Sequence, residues 1–296
     1  MVNLRKPIPF MEFRKKAYLL SLLLVVGSLL LIQFRGLNLG LDFTGGYVIE
    51  IVPPKPVDEI EVEKLLEERG FKSFLVQETK DGHIIVKVRL DQPAKEIERL
   101  LLNHFKGAKL VRFEMIGAVF SSELKRKAIY AVLTALLLIS VYLGFRFKAL
   151  WAVTALLALF HDVIATLGAY SLTFREVNLE VMGALLTVAG YSVTDTVVVF
   201  DRIRENLKMR PATPLKEIIN ISINETLSRT LMTSLTTFAV AFVLYLFGGE
   251  MLSNIAFAFL VGIVVGTYSS IFVASALLLD ITNLFSKGAK GGVRAA

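Results

Sequence analysis

The sequence predicts a polytopic α-helical membrane protein with six transmembrane helices and one α+β domain inserted between the first and the second. Three observations carry this. The 296 residues are 54% hydrophobic, with a mean hydropathy of +0.62, more apolar than a soluble chain of this size. The excess is gathered into six blocks, Ala17–Phe34, Ala128–Phe145, Ala149–Leu172, Val181–Phe200, Leu231–Phe247 and Ile255–Leu279. Each is close to the roughly 17 to 25 residues that cross about 30 Å of hydrocarbon. A single long polar stretch, residues 36–127, separates the first block from the rest.

The first block follows Arg14, Lys15 and Lys16, as in a signal peptide. It is longer than a signal core and ends in Gln33-Phe34-Arg35-Gly36 without a small-residue cleavage site, so it reads as a retained anchor. There is no cysteine, which removes disulfides and thiolate metal sites. The net charge of +7 matters less than where it sits. Basic residues crowd the N-terminus (Arg5, Lys6, Arg14), the second short loop (Arg146, Lys148), the fourth loop (Arg202, Arg204, Lys208, Arg210, Lys216) and the tail (Lys287, Lys290, Arg294). The intervening loops carry only Arg175 or no positive charge. The positive-inside rule then puts both termini in the cytoplasm and makes nucleic acid an unneeded partner. The expected divisions are 1–35 (cytoplasmic N-terminus and first span), 36–127 (extracytoplasmic domain), 128–280 (spans two to six) and 281–296 (cytoplasmic tail).

The polar stretch is too long for a loop. Tyr47–Val52 is rich in β-branched residues and stops at Pro53-Pro54. Val57–Arg69 reads as a helix with Ile60, Leu65 and Leu66 inward and Gly70 as its stop. Ser73–Glu78 is a short strand, Asp81-Gly82 a turn, and His83–Leu90 alternates with Ile84, Val86 and Val88 on one side. Pro93–Phe105 is a helix with Pro at its start, and Lys109–Ile116 a last strand. The order β-α-β-β-α-β is the ferredoxin-like pattern, a fold that hosts many functions. His83 and His104 read as surface or packing residues.

Function is sought in the membrane. Asp195 lies within the fourth block, where a carboxylate costs roughly 2.5–3.5 kcal/mol even on the mildest scale. A stripe of Gly183, Thr187, Gly190 and Thr194 on the same helix predicts close helix approach and an inward-facing Asp195. Arg229 opens the fifth block, on one face with Thr233 and Thr236, and is expected to pair with Asp195 at similar depth. His161-Asp162 in the third block form either a relay toward Asp195 or a packing hydrogen bond. Asp201 to Glu205 read as interfacial charges that end the fourth helix, and Gly262 with Gly266 as a packing contact. A nucleotide loop, a metal-spaced cluster and a nucleophile constellation are all missing from the sequence, so an enzyme is not expected.

Two stretches carry a resemblance. GYSVTDTVVVFDRIREN at Gly190–Asn206, with Asp195, Asp201 and Arg202, and LGLDFTGG at Leu39–Gly46, with Asp42, Gly45 and Gly46, resemble the SecF family of protein-export membrane proteins. SRTLMTSLTT at Ser228–Thr237 and His161-Asp162 fit as well. Thr194 stands where the family usually has Asn, which alters the polarity beside Asp195. The resemblance implies half of an RND-type transporter that works with SecD and the SecYEG translocon, with YajC as a further partner. It implies use of the proton motive force, with no cofactor, to draw preproteins across the cytoplasmic membrane. Asp195 and Arg229 would then be the proton-path residues, and Gly45-Gly46 candidate hinge material. Two competing readings are an RND-like exporter half for a drug or lipid, for which no pocket is marked, and a static scaffold held by a permanent Asp195–Arg229 salt bridge.

Overall fold

Among the described residues, six helices are long and apolar enough to cross a membrane. The computed structural model describes residues 7–72, 74–79 and 81–292, with side chains for all of these except 250 and 286–292. Arg5, Lys6, Arg294 and the expected strand start Ser73 lie outside the described residues, as do the side chains of Lys287 and Lys290.

A 3-10 turn, Phe10–Glu12, leads into α1 (Arg14–Arg35). Then come a two-residue strand β1 (Asn38–Leu39) and a one-turn helix α2 (Leu41–Thr44). The α+β body follows as β2 (Gly46–Val52), α3 (Glu59–Glu68), β3 (Phe74–Glu78), β4 (Ile84–Arg89), α4 (Ala94–His104) and β5 (Lys109–Ile116). Its strands pair antiparallel in the order β3-β4-β2-β5. Counted within the body this is 2-3-1-4, with the first and third strands central. Ile84, Val86 and Val88 of β4 are fully buried against Val62, Leu66, Ile97 and Leu101 of the two helices. The expected alternation of β4 therefore holds, because one face of a pleated strand meets the helices and the other does not. Ile60 departs from expectation and is 53% exposed. Asp58 caps the helix by accepting from the Ile60 backbone N–H, which fixes Ile60 in the first turn and leaves Val62, Leu65 and Leu66 as the inward stripe.

The membrane part continues with α5 (Ala118–Arg146), α6 (Ala149–Thr173), a strand β6 (Glu176–Val177), α7 (Leu179–Met209) and α8 (Leu215–Phe247). The last span is α9 (Gly249–Tyr268), a π-helical segment Ser269–Ala274, and α10 (Ser275–Gly292). The α7 helix does not end at the Asp201–Glu205 charges. It runs on because Asp201 pairs with Arg146 (2.5 Å) and Arg202 with Glu225 of α8 (2.7 Å), while Ile203 and Asn206 stay buried. With its charges on one side and this buried face on the other, the extension is amphipathic and needs no membrane around it. The α8 helix likewise starts four turns before the expected span. Gly262 and Gly266 bring α9 against Val188 and Ser192 of α7, the contact the G-x-x-x-G spacing implied.

Gly45 and Gly46 are not loose. A Cβ on Gly46 would meet the Val88 carbonyl and the Leu41 side chain, and one on Gly45 would meet Leu90 and the Ile116 carbonyl, at 2.9 and 3.0 Å. The pair is a close-packed corner between β2, β4 and the start of α5. Gly46→Ala is expected to lower stability by about 3 kcal/mol, at the upper end of ordinary overpacking. Gly183, with nothing near its Cβ position, is the control: Gly183→Ala leaves the melting temperature unchanged or raises it. A Gly46→Ala protein that melts with the wild type in detergent would refute the corner.

Candidate functional site in the helix bundle

Asp195 points inward from α7 and is 7% exposed. Its Oδ2 is buried and accepts no hydrogen bond. A helix advances about 100° per residue, so Val188, Ser192, Asp195, Thr196 and Val199 share the buried face. The stripe Gly183, Thr187, Gly190 and Thr194 falls on the other side and is exposed. It was expected to pack, but Thr187 and Thr194 spend their hydroxyls on the carbonyls of Gly183 and Gly190 one turn back.

Arg229 makes no direct ion pair with Asp195, although it is the charge close enough to act on that carboxylate. It is exposed, on one face of α8 with the exposed Thr233 and Thr236. The buried stripe of α8 is Thr226, Thr230 and Ser234, and Arg229 stands one residue off it, about 100° round the helix. The permanent salt bridge of the scaffold reading is therefore not formed. A hydroxyl chain links the helices next door: Tyr191 Oη donates to Ser234 Oγ (3.0 Å), which lies 2.7 Å from Thr267 Oγ1.

Asp162 is fully buried and is the centre of a polar knot. Its Oδ2 accepts from Ser192 Oγ of α7 and from Ser269 Oγ of the π-helix, the latter at 2.8 Å. Its Oδ1 lies 2.9 Å from His161 Nδ1. The knot extends through Ser270 Oγ to the Ser192 carbonyl (3.3 Å) and to Thr196 Oγ1 (2.9 Å). His161 Nε2 is buried without a partner. Since Ser192 is one turn from Asp195 on the same face of α7, the knot adjoins Asp195 on the side toward β6. A π-turn widens the helix by one residue and often marks a functional element. Ser269, Ser270 and Ser275 were not singled out in the sequence, although three serines in an apolar span were a signal.

Asp42 is the other residue whose place explains it. Its Oδ2 accepts from the Leu179 backbone N–H (3.1 Å), and Asn178 Oδ1 from that of Val181 (3.1 Å). Both carboxylate and amide thus cap the start of the helix that carries Asp195. Around them, β1 pairs with β6 in parallel, and Lys87 of β4 donates to Glu176 of β6 at 2.6 Å. At the opposite end, Arg146 and Arg204 lie over Phe147, at 5.6 and 5.7 Å. The Arg204–Asp201 contact, 3.0 Å, is an ion pair by distance but is not aligned as a hydrogen bond. Arg202 and Asn206 both donate to Glu225 Oε2 at 2.7 Å. Asp201 and Arg202 therefore tie helices together.

The profile of the C-terminal region of protein export membrane proteins SecD and SecF matches residues 96–284, and that of the SecD/SecF GG motif matches residues 29–52. The chain belongs to the SecD/SecF family. Relatives named protein translocase subunit SecF include that of Desulfurispirillum indicum, 43% identical over 287 residues (92% of this chain, 91% of the relative). That of Escherichia coli O157:H7 is 40% identical over 288 residues (94% and 88%). A crystal structure of SecDF from Thermus thermophilus, described as a translocon-associated membrane protein, superposes with a TM-score of 0.84 at 39% identity over 96% of this chain. A second SecDF structure, in a super-membrane-facing form, gives 0.77 at 37% identity over the whole chain. This chain spans about 40% of the length of those solved chains. It is thus a SecF-type subunit of a protein translocase, a multi-pass membrane component and not an enzyme.

Proposed function

We propose that this chain works with SecD to turn the proton motive force into protein translocation across the cytoplasmic membrane and release on the far side. Asp195 takes up and gives off the proton, and Arg229 is the charge that answers it. His161 and Asp162 are second candidates on the path. The carrying observation is the Asp195 carboxylate, buried in an apolar bundle with one oxygen left without a hydrogen bond. Buried carboxylates are normally satisfied, and one that is not is free to exchange a proton or a partner when the helices move.

The outward face of α7 and α8 supports a helical partner in the membrane. Arg229, Thr187, Thr194, Thr233 and Thr236 are exposed there, and Arg is costly against lipid. SecD, covering this face with its own helices, removes that cost. The solved SecDF chains, of which this chain matches about 40%, support the same partner. We assign the α+β body to the extracytoplasmic side as a ferredoxin-like domain over 36–127, and both termini, 1–13 and 281–296, to the cytoplasm, from the loop charges. SecYEG, YajC and the translocating preprotein are the further partners. No cofactor enters.

The test uses inner-membrane vesicles holding this chain, SecD and the translocon. Collapsing the proton gradient with an ionophore, with ATP held constant, is expected to slow completion of export severalfold. Export that ignores the ionophore would end the proton reading.

A further inference from the structure

We infer that residues Ile8–Met11, ahead of the first span, form a latch that holds α8 in the position where Arg229 makes no direct contact with Asp195. The segment carries no charge, yet it is held with more specificity than a chain end needs. Asn224 of α8 grips Ile8 from both sides: its Oδ1 accepts the Ile8 backbone N–H and its Nδ2 donates to the Ile8 carbonyl, each at 2.9 Å. One turn earlier Asn220 Oδ1 accepts the Met11 N–H, also at 2.9 Å. Two amides four residues apart thus pair with the segment as a neighbouring strand would.

The side chains complete the hold. Phe10 is 6% exposed and Met11 fully buried, in the same core as Ile203, Ile219 and Ile223. Phe10 meets Phe272 of the π-helix edge-on at 5.6 Å. Phe272 stacks on Tyr268 at 5.5 Å, and Tyr268 lies 6.1 Å from the His161 ring. A line of aromatic contacts therefore runs from the latch to the knot around Asp162. Arg14 braces the C-terminal side, donating to the Met11 carbonyl (3.0 Å) and pairing with Asp280 (3.3 Å).

The latch joins α8 on one side to the π-helix on the other. Arg229 sits only five residues beyond Asn224. A turn of α8 that brings Arg229 into direct contact with Asp195 carries Asn220 and Asn224 with it, on the same helix, so on this proposal the latch releases in each cycle. This rests on the reading of Asp195 and Arg229 as the moving pair.

The chain has no cysteine, so a reversible lock can be built cleanly. Glu12 and Lys216 flank the latch, with Oε1 and Nζ 3.8 Å apart and both side chains substantially exposed. Glu12→Cys/Lys216→Cys is joined with a short thiol-specific bridge that a reductant cleaves, in vesicles with SecD and the translocon. Export is expected to fall at least tenfold on bridging and to recover on reduction. Bridged protein that exports as fast as the same protein after reduction would overturn the latch. The ionophore control run alongside separates this from the energy source. If export is ionophore-insensitive, the proton reading fails, while the bridged-against-reduced comparison still decides whether the segment must move.

Discussion

Asp195→Asn is expected to abolish the gradient-driven part of export while leaving the protein folded and bound to SecD. The substitution keeps the size of the side chain and removes only its titration. Asp195 makes no hydrogen bond through Oδ2, so no partner is orphaned. A neutral amide also spares the bundle the burial of a charge. Moving one proton through 100 mV is worth about 2.3 kcal/mol, a roughly fiftyfold bias on a two-state equilibrium. Losing it should cost at least tenfold in the ionophore-sensitive rate, and Asp195→Glu should keep part of that rate because it still titrates. The assay is the vesicle export experiment, with SecD co-purification and a thermal melt as controls. A folded, SecD-bound Asp195→Asn protein that keeps full ionophore sensitivity would show that Asp195 does not carry the proton.

Asp195 faces inward as expected, but not for the reason the small-residue stripe offered, since that stripe faces outward; a lone carboxylate in an apolar run is costly against lipid and so has few tolerable orientations. The strands of the α+β body were legible too: Lys109–Ile116 matches β5 in both bounds, and the alternation in β4 follows from the pleat. Features that depend on rotation about a helix axis were not legible. Gly183, Thr187, Gly190 and Thr194 have the spacing of a packing stripe, yet they face outward, since spacing says which residues share a face and not what that face meets. Arg229 likewise stands one residue of rotation from the buried Thr230, within reach of the Asp195 carboxylate by its charge but not bonded to it. The π-segment at Ser269–Ala274 left no periodic trace, as one extra residue in a turn does not disturb an apolar run. The Phe10–Met11 insertion was hidden because the neighbouring basic residues dominate any reading of that end. Asp42 was recognised by resemblance alone, and its cap on α7 needs the two ends of a 137-residue separation brought together.

Asp162→Ala is expected to be the most destabilising polar substitution in the bundle. Asp162 is fully buried and satisfies Ser192, Ser269 and His161 at once, joining α6, α7 and the π-helix. Alanine takes away the shared acceptor, leaving Ser269 only the Gly266 carbonyl, and breaking a buried polar cluster by deleting one partner costs roughly 3–5 kcal/mol. Low yield and a melting temperature several degrees below wild type are the expected signs. Asp162→Asn keeps one carbonyl oxygen and should cost less, about 1–3 kcal/mol, for the acceptor it loses. That variant separates stability from proton transport. If Asp162 fixes the register of three helices, Asp162→Asn exports more slowly in proportion to its folded fraction and stays ionophore-sensitive. If the path runs from His161 through Asp162 toward Asp195, the same folded protein loses its ionophore sensitivity, as Asp195→Asn does. The position of Ser192, bonded to Asp162 and one turn from Asp195, is why a single substitution can decide between the two.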